Sequence, residues 1–349
     1  MENVNKLNKP ALKFVADCHI PYLRGVLEPY ACVEYLSPDD ITPEVVKDAD
    51  GLIVRTRTRI DSQLLNDSQC RFVATATIGT DHIDKKWAKE REISIVNAPG
   101  CNAPAVAQYV FASLARLINR PISQHTIAIV GVGNVGRIVE RWARALDMRV
   151  MRVDPLRQEA EGGTDWHTLE DAAREADIIT FHTPLTRDGE HSTYHLADNE
   201  FFKSLKRAPI IINSSRGPVV DNAALVEAIN EGLVSHSVID VWEGEPAINL
   251  DLLEKADIAT PHIAGYSRDG KIRATSMVLN EISEYFGLPR LNADGPTAQP
   301  VPETVSIQSV MKSYNPLDDT RALKSDPTQF EKLRDNYNLR AEAPGAKID

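Results

Sequence analysis

The sequence predicts an α/β protein made of two parallel-sheet domains. Three observations carry that prediction. A chain of 349 residues is too long for one ordinary core. Short β-rich apolar runs recur along it, separated by helix-length stretches, as in parallel sheets with helical crossovers. Each run ends in a polar or glycine-bearing turn, where such sheets place their ligands.

The first domain is read from four runs: Leu12 to Ala16, Gly51 to Arg55, Phe72 to Thr77 and Ile93 to Asn97. Pro99-Gly100 breaks the pattern, and Ala103 to Leu117 follows as one amphipathic helix rich in Ala, Val and Leu. Ile127 to Val130 opens a second series, continued by Arg149 to Val153, Asp177 to Phe181, Ile210 to Asn213, Ser237 to Asp240 and Asp257 to Ala259. Six strands with helical patterns between most of them match a dinucleotide-binding domain. Gly270 to Gly287 reads as a long helix that packs back on the first domain. After Pro289 the chain turns Pro-, Asn- and Asp-rich, with one short amphipathic helix expected at Phe330 to Leu339. The expected division is 12–102 plus 268–288 for substrate, 103–267 for nucleotide, and 289–349 as a short C-terminal tail. Both large domains are expected to be Rossmann-like or flavodoxin-like, with the active site in the cleft between them.

Bulk properties narrow the function. Hydrophobic residues make up 42% and charged residues 26%, as in globular proteins. A formal charge of −11 argues against a nucleic-acid partner, which would require a basic face. A local arginine cluster can still serve an anionic substrate. No run of about 18 apolar residues predicts a membrane span. Met1 to Lys13 is polar and lysine-dotted, without an apolar signal core, so a cytoplasmic enzyme is expected. Cys18, Cys32, Cys70 and Cys101 form no CxxC pair, so reduced thiols and no metal site are expected.

Gly131-Val132-Gly133-Asn134-Val135-Gly136 follows an apolar strand and opens a helix expected over Arg137 to Leu146. The glycine pattern alone is weak evidence, but its context fits dinucleotide binding. Gly131 permits the tight turn, Gly133 lets backbone approach a pyrophosphate, and Gly136 lets helix and strand pack closely. Backbone N–H groups at the helix start would bind the pyrophosphate. Asp154 lies 18 residues after Gly136, at the end of the next strand. Its carboxylate would accept from ribose hydroxyls and repel a 2′-phosphate, favouring NAD. Arg152 and Arg157 keep NADP as the minority alternative. The bland alternatives are a glycine turn that binds nothing, and an Asp154 that merely caps a helix before Pro155.

Three ionisable residues follow strands of the second domain: Arg216, Glu245 and His262. Residues at the carboxyl ends of parallel strands converge on the ligand crevice. Oxidising a secondary alcohol with NAD needs a base for the hydroxyl proton, and histidine can take and return it. A carboxylate beside it would hold the tautomer and stabilise the imidazolium. A guanidinium would clamp a substrate carboxylate with two hydrogen bonds. Taken singly, His262 could be structural, Arg216 a surface ion-pair partner and Glu245 a turn residue before Pro246. Their order downstream of the nucleotide loop favours catalysis.

These residues carry a resemblance. Gly131 to Gly136, Asn213 to Asp221, Asp240 to Pro246 and Thr260 to Gly265 resemble the signatures of the D-isomer-specific 2-hydroxyacid dehydrogenases. Thr75 to Asp84, Asn97 to Ala103, Thr180 to Leu185, His262 to Tyr266, Gly270-Lys271 and Arg273 to Thr275 are similar to the erythronate-4-phosphate dehydrogenases within that family. The resemblance covers about residues 12 to 288. It implies NAD-dependent oxidation of 4-phospho-D-erythronate at C2 to the 2-oxo acid, in vitamin B6 (pyridoxal phosphate) biosynthesis. By it Arg216 and Glu245 are catalytic and His262 transfers the proton. Thr56, Thr77 and Tyr266 would touch substrate, and Asp154, Thr183, Asp240 and Gly265 would touch NAD. A homodimer is implied, expected to pair near Ala103 to Leu117. Phe330 to Tyr337 resembles part of that family's C-terminal dimerisation domain, here shortened. Ser214-Ser215 stands where Ala-Cys is more usual.

Arg55, Arg57 and Arg59 alternate just after a strand. On an extended segment they would share one face and suit a phosphate dianion; the bland alternative is solvated edge arginines. Two other functions stay open at this point. One is a related phosphoglycerate or hydroxypyruvate/glyoxylate dehydrogenase, and the other is an NAD-sensing, corepressor-like binding protein.

Overall fold

The computed structural model describes residues 12–345. It divides into two compact units, one running to Asn102 and resuming over Asp269–Ala298, the other formed by Ala103–Arg268 with the chain from Gln299.

The first unit is built on β1 (Leu12–Asp17), β2 (Ala31–Leu36), β3 (Gly51–Val54), β4 (Phe72–Thr75) and β5 (Ser94–Val96), all parallel, in the order β2-β1-β3-β4-β5. This is the flavodoxin-like order, with its switch point between β1 and β3. The central strands β3 and β4 are buried throughout, which is why they read as continuous apolar runs. The edge strand β2 was not foreseen. Cys32 and Glu34 face outward and break the run, so it lacks the apolar signature of its neighbours. The helix Arg268–Phe286 buries Val278, Leu279 and Ile282 in the same core as Phe14 and Phe72. Phe286 meets the Phe14 and Phe72 rings edge-on at 5.1 and 5.6 Å.

The second unit holds β6 (Thr126–Val130), β7 (Arg149–Val153), β8 (Ile178–Phe181), β9 (Ile210–Asn213), β10 (His236–Ile239) and β11 (Ile258–Ala259), parallel throughout, in the order β11-β10-β9-β8-β6-β7. A single parallel bridge between Arg152 and Trp166 adds a vestigial strand outside β7. The order reverses between β6 and β8, so the turns after those strands flank the topological switch point of a Rossmann-type sheet.

The helix Ala103–Leu117 forms as the sequence predicts, and most of it is buried within the chain. Every residue from Ala103 to Leu114 is buried. Phe111 packs beside Trp142 with ring centroids 6.0 Å apart, and Val310 and Tyr314 of the C-terminal segment join the same core. The helix is therefore already covered in cis.

The segment from residue 289 onward is not a separate tail. Residues up to Ala298 cluster with the first unit and those from Gln299 with the second. Three helices, Ile307–Ser313, Pro316–Ser325 and Phe330–Asp335, lie in the latter part. They place Val310, Leu323 and Phe330 in its cores. Gln108 donates to Ser313 Oγ at 2.9 Å and to the Ala341 carbonyl at 3.0 Å, and Trp142 Nε1 donates to the Pro302 carbonyl at 2.9 Å. Isolated apolar anchors in a polar, proline-rich stretch give no periodic signal, so the sequence shows only the last helix.

Candidate active site

The glycine loop sits at the carboxyl end of β6. Gly131 has φ +88°, and a Cβ there would lie 2.8 Å from the His182 carbonyl carbon, so only glycine fits. A Cβ at Gly136 would lie 2.1 Å from the Gly131 carbonyl oxygen, so the helix can press on the turn only without a side chain. A Cβ at Gly133 would meet no protein atom within 4 Å. Its glycine matches backbone left open to a ligand, at the N-cap of the helix Asn134–Ala145. The helix starts three residues before the expected Arg137, placing Asn134, Val135 and Gly136 in its first turn.

Asp154 follows β7 and does two jobs inside the protein. Oδ1 accepts from the Arg157 N–H at 3.1 Å, capping the helix Pro155–Glu161, and Oδ2 accepts from the Val132 N–H at 2.8 Å. The capping alternative is thus realised, and the same carboxylate holds the glycine loop. An ionised carboxylate has about four acceptor sites, so it can still receive ribose hydroxyls. Arg157 donates to the Val132 carbonyl at 2.6 Å and pairs with Glu161, while Arg152 stacks over Trp166 at 4.2 Å. After β8, His182 bonds Thr180 Oγ1 through Nε2 at 2.9 Å, and burial pushes its pKa down to about 3. Thr183 Oγ1 beside it is buried without a hydrogen-bond partner, which suits a polar ligand atom at the switch point.

His262 and Glu245, expected as an acid–base pair, are brought into contact. His262 Nδ1 and Glu245 Oε2 are 2.8 Å apart, and Glu245 Oε1 accepts from the Trp242 N–H at 2.9 Å. Burial raises the Glu245 pKa, but its hydrogen bonds from His262 and Trp242 and the positive charges of His262 and Arg334 outweigh that and hold it below 4.5. With Nδ1 engaged, Nε2 is the His262 nitrogen left to face a substrate hydroxyl.

The His262 turn is pinned by Asp240, which is 1% exposed. Its backbone carbonyl accepts from the His262 N–H at 2.8 Å, and its carboxylate accepts from Thr260 Oγ1, the Ile263 N–H and the Ala264 N–H at 2.6, 2.8 and 2.9 Å. These bonds support the positive φ of 58° at His262. The carboxylate expected to touch NAD thus points into the protein, holding the turn that carries Gly265.

Arg216 is set by Asn213, whose side chain donates to the Arg216 carbonyl at 3.0 Å and accepts from the Ser215 N–H and Oγ at 3.1 and 2.9 Å. Ser215 therefore serves the turn through both its N–H and its hydroxyl. A Cβ at Gly217 would lie 2.0 Å from the Trp242 carbonyl oxygen, so glycine lets the Arg216 turn press against the turn leading to Glu245.

Two residues near this site escaped the sequence reading. Arg334 Nε donates to Tyr266 Oη at 3.2 Å. Arg340, 8% exposed, donates to the carbonyls of Ile263 and Tyr266 at 3.0 and 3.1 Å and to that of Ala264. The C-terminal segment thereby grips the turn after His262. Nothing in the local sequence marks these two arginines, because their partners lie some 70 positions away.

On the first unit, Arg55 follows β3 and its Nε donates to Asp17 Oδ2, at the end of β1, at 2.7 Å. Asp17 is fully buried and also accepts from the His19 N–H at 2.9 Å. Residues 55 to 59 are not extended, so the expected arginine ladder does not form. The chain turns at Thr56-Arg57, Arg55 aims at Asp17, and Arg59 is an exposed partner of Asp61 at 2.7 Å. Thr56 and Arg57 lie exposed on that turn. Thr77, after β4, bonds Thr75 at 2.8 Å through its hydroxyl.

Residues 105–264 match the family model described as D-isomer specific 2-hydroxyacid dehydrogenase, NAD binding domain. Over 347 residues the chain is 48% identical to the erythronate-4-phosphate dehydrogenase of Bacteroides thetaiotaomicron, covering 97% of this chain and 99% of that one. The chain belongs to the erythronate-4-phosphate dehydrogenase family. An Escherichia coli erythronate-4-phosphate dehydrogenase is 40% identical over 351 residues, covering 95% of this chain and 92% of that one. Among solved structures, the TT0316 protein of Thermus thermophilus matches with a TM-score of 0.67 at 27% identity, covering 80% of this chain and 99% of that one. A D-lactate dehydrogenase from Aquifex aeolicus shares the fold with a TM-score of 0.68 at 23% identity, covering 82% of this chain and all of that one. The stretch matched in this erythronate-4-phosphate dehydrogenase family member by the NAD-binding model contains the glycine loop, Asp154, Arg216, Glu245 and His262.

Proposed function

We propose that this chain oxidises 4-phospho-D-erythronate at C2 to 2-oxo-3-hydroxy-4-phosphobutanoate with NAD, a step toward pyridoxal phosphate. The observation that carries the reading is the His262–Glu245 pair at 2.8 Å, in a chain 40–48% identical to erythronate-4-phosphate dehydrogenases. Arg216 clamps the substrate carboxylate and orients C2. His262 Nε2 takes the C2 hydroxyl proton, while Glu245 holds Nδ1–H and stabilises the imidazolium. The hydride leaving C2 would go to NAD, which supplies the acceptor when bound. Gly131 would shape the loop, its own N–H being given to the Val153 carbonyl at 2.9 Å, while the amides of Gly133, Asn134, Val135 and Gly136 would receive the pyrophosphate and Asp154 the ribose hydroxyls. Thr183 offers its unpartnered hydroxyl, and Asp240 serves through the turn that carries Gly265. Tyr266 contacts the substrate. On the first unit, Arg55, Thr56, Arg57 and Thr77 are the residues proposed to meet its polar groups.

A cytoplasmic homodimer is part of the same reading. Four free cysteines suit a reducing compartment, and the family resemblance supports the dimer, which light scattering would check. Among the described residues no helix is long and apolar enough to cross a membrane.

The test is a substrate panel with NAD and NADP, followed by nicotinamide absorbance. NAD reduction with 4-phosphoerythronate, and little with D-lactate, D-glycerate or 3-phospho-D-glycerate, is the expected result. No turnover of 4-phosphoerythronate by purified protein would sink the assignment. Asp154→Ala is expected to raise KM for NAD about tenfold or more and to narrow the preference for NAD over NADP, since it removes both the loop anchor and the ribose acceptor. An unchanged NAD/NADP ratio of kcat/KM would remove Asp154 from cofactor selection.

A further inference from the structure

The C-terminal segment brings a cation to the catalytic turn. Arg334 ends the helix Phe330–Asp335, and its side chain is only 22% exposed. A guanidinium carries five N–H donors. Here Nε bonds Tyr266 Oη at 3.2 Å, and the nearest carboxylate contact is Glu331 at 4.0 Å, beyond hydrogen-bond distance. Holding a cation this far from water without a bonded anion is costly, so such a site favours an anionic ligand. Its hydrogen-bond partner, Tyr266, closes the turn that begins at His262, as the Tyr266 N–H donates to the Ile263 carbonyl at 2.8 Å. The charge of Arg334 also reaches Glu245, whose carboxylate it helps keep ionised.

We propose that Arg334 is a specificity-determining residue that binds the terminal phosphate of the substrate, with Tyr266 holding its guanidinium in place. This rests on the proposed substrate, whose carboxylate is taken by Arg216, leaving the phosphate as the second anionic group. Arg334 lies outside the stretch matched by the NAD-binding family model, which ends at residue 264. The Aquifex aeolicus D-lactate dehydrogenase is covered whole yet spans only 82% of this chain, so the chain adds to the shared fold. The Bacteroides thetaiotaomicron erythronate-4-phosphate dehydrogenase aligns over 97% of it, so the addition is common to chains named for a phosphorylated acid.

The test compares Arg334→Met and Arg334→Lys with the wild-type chain on 4-phosphoerythronate and on erythronate lacking the phosphate. Losing one or two charge-assisted hydrogen bonds predicts that Arg334→Met raises KM for the phosphorylated acid about 10- to 100-fold, with kcat within about threefold. KM for erythronate and the affinity for NAD should stay as they were, and Arg334→Lys should recover part of the loss. Equal changes for the two acids, or none, would overturn the proposal. A thermal-shift arm needs no turnover. Inorganic phosphate, against chloride at equal ionic strength, should raise the Tm of the wild-type chain and not that of Arg334→Met. Equal stabilisation of both would overturn the role of Arg334 even if the enzyme acts on another acid, whereas wild-type failure on 4-phosphoerythronate with a phosphate shift that depends on Arg334 would reject only the substrate. If Arg334→Met does not fold, Arg334→Lys carries both comparisons, with a smaller shift in the same direction expected.

Discussion

His262→Ala is expected to lower kcat about a thousandfold while NAD affinity stays within about twofold of wild type, in the range for removing a positioned general base. The imidazole sits on a turn held by Asp240 through three hydrogen bonds to backbone N–H groups, at His262, Ile263 and Ala264. Deleting the ring leaves that turn and the glycine loop standing, so binding and chemistry separate. Glu245→Gln should cost about a hundredfold in kcat. Oε1 must still accept from Trp242, which turns the amide NH₂ toward His262 and favours the wrong tautomer. The sign of the pH effect follows from the lowered Glu245 pKa. The contribution of the pair to stability is fully present above the ordinary value of 4.5 and is lost as pH falls through the lowered value. Between pH 6 and 9 the carboxylate therefore remains charged and does not limit the rate. Steady-state kinetics with a parallel NAD titration check these expectations. A His262→Ala enzyme keeping more than about a tenth of wild-type kcat would remove His262 from proton transfer.

Arg340→Ala is expected to destabilise the second unit by about 4 kcal/mol, among the largest effects of a single substitution. The carbonyls of Ala264 and Tyr266, the Ala105 carbonyl at 3.2 Å and Gln108 Oε1 at 3.1 Å lose the guanidinium as a donor, while the Ile263 carbonyl keeps the Tyr266 N–H. Each buried acceptor left unsatisfied costs about 1–3 kcal/mol, partly offset because a buried charge no longer has to be desolvated. Stacking over Tyr314 at 4.2 Å is lost as well. The corresponding drop in Tm is about 8–16 °C, measured by calorimetry. Arg340→Lys keeps the charge and reaches fewer of these acceptors, so it should fall between the two. A melting temperature within about 2 °C of wild type would show that the C-terminal clamp does not hold the turn.

Much of the candidate site was legible because the residues proposed for it are local in sequence. The three glycines, the acid after the next strand, and Arg216, Glu245 and His262 each lie within a short turn after an apolar run. Periodicity places those turns at strand ends without knowledge of any distant contact. The arginine alternation at Arg55 to Arg59 misled because period-2 logic holds only for extended backbone, and the chain turns there. Edge strand β2 was missed because one face of it stays in water.

From the sequence alone follow the two parallel sheets, the family, the glycine loop after β6 and the three residues proposed for the acid–base chemistry. These depend on short-range patterns: apolar runs that make strands and glycines that only one backbone turn accepts. Tertiary structure alone decided what Asp240, Arg334, Arg340 and the Ala103–Leu117 helix do. Asp240 turned inward to hold a turn, the helix was buried by its own C-terminal segment, and two arginines came from far along the chain to the turn beside His262. Burial and long-range hydrogen bonding assign these roles, because a charge or an apolar face takes its meaning from the groups folding brings against it.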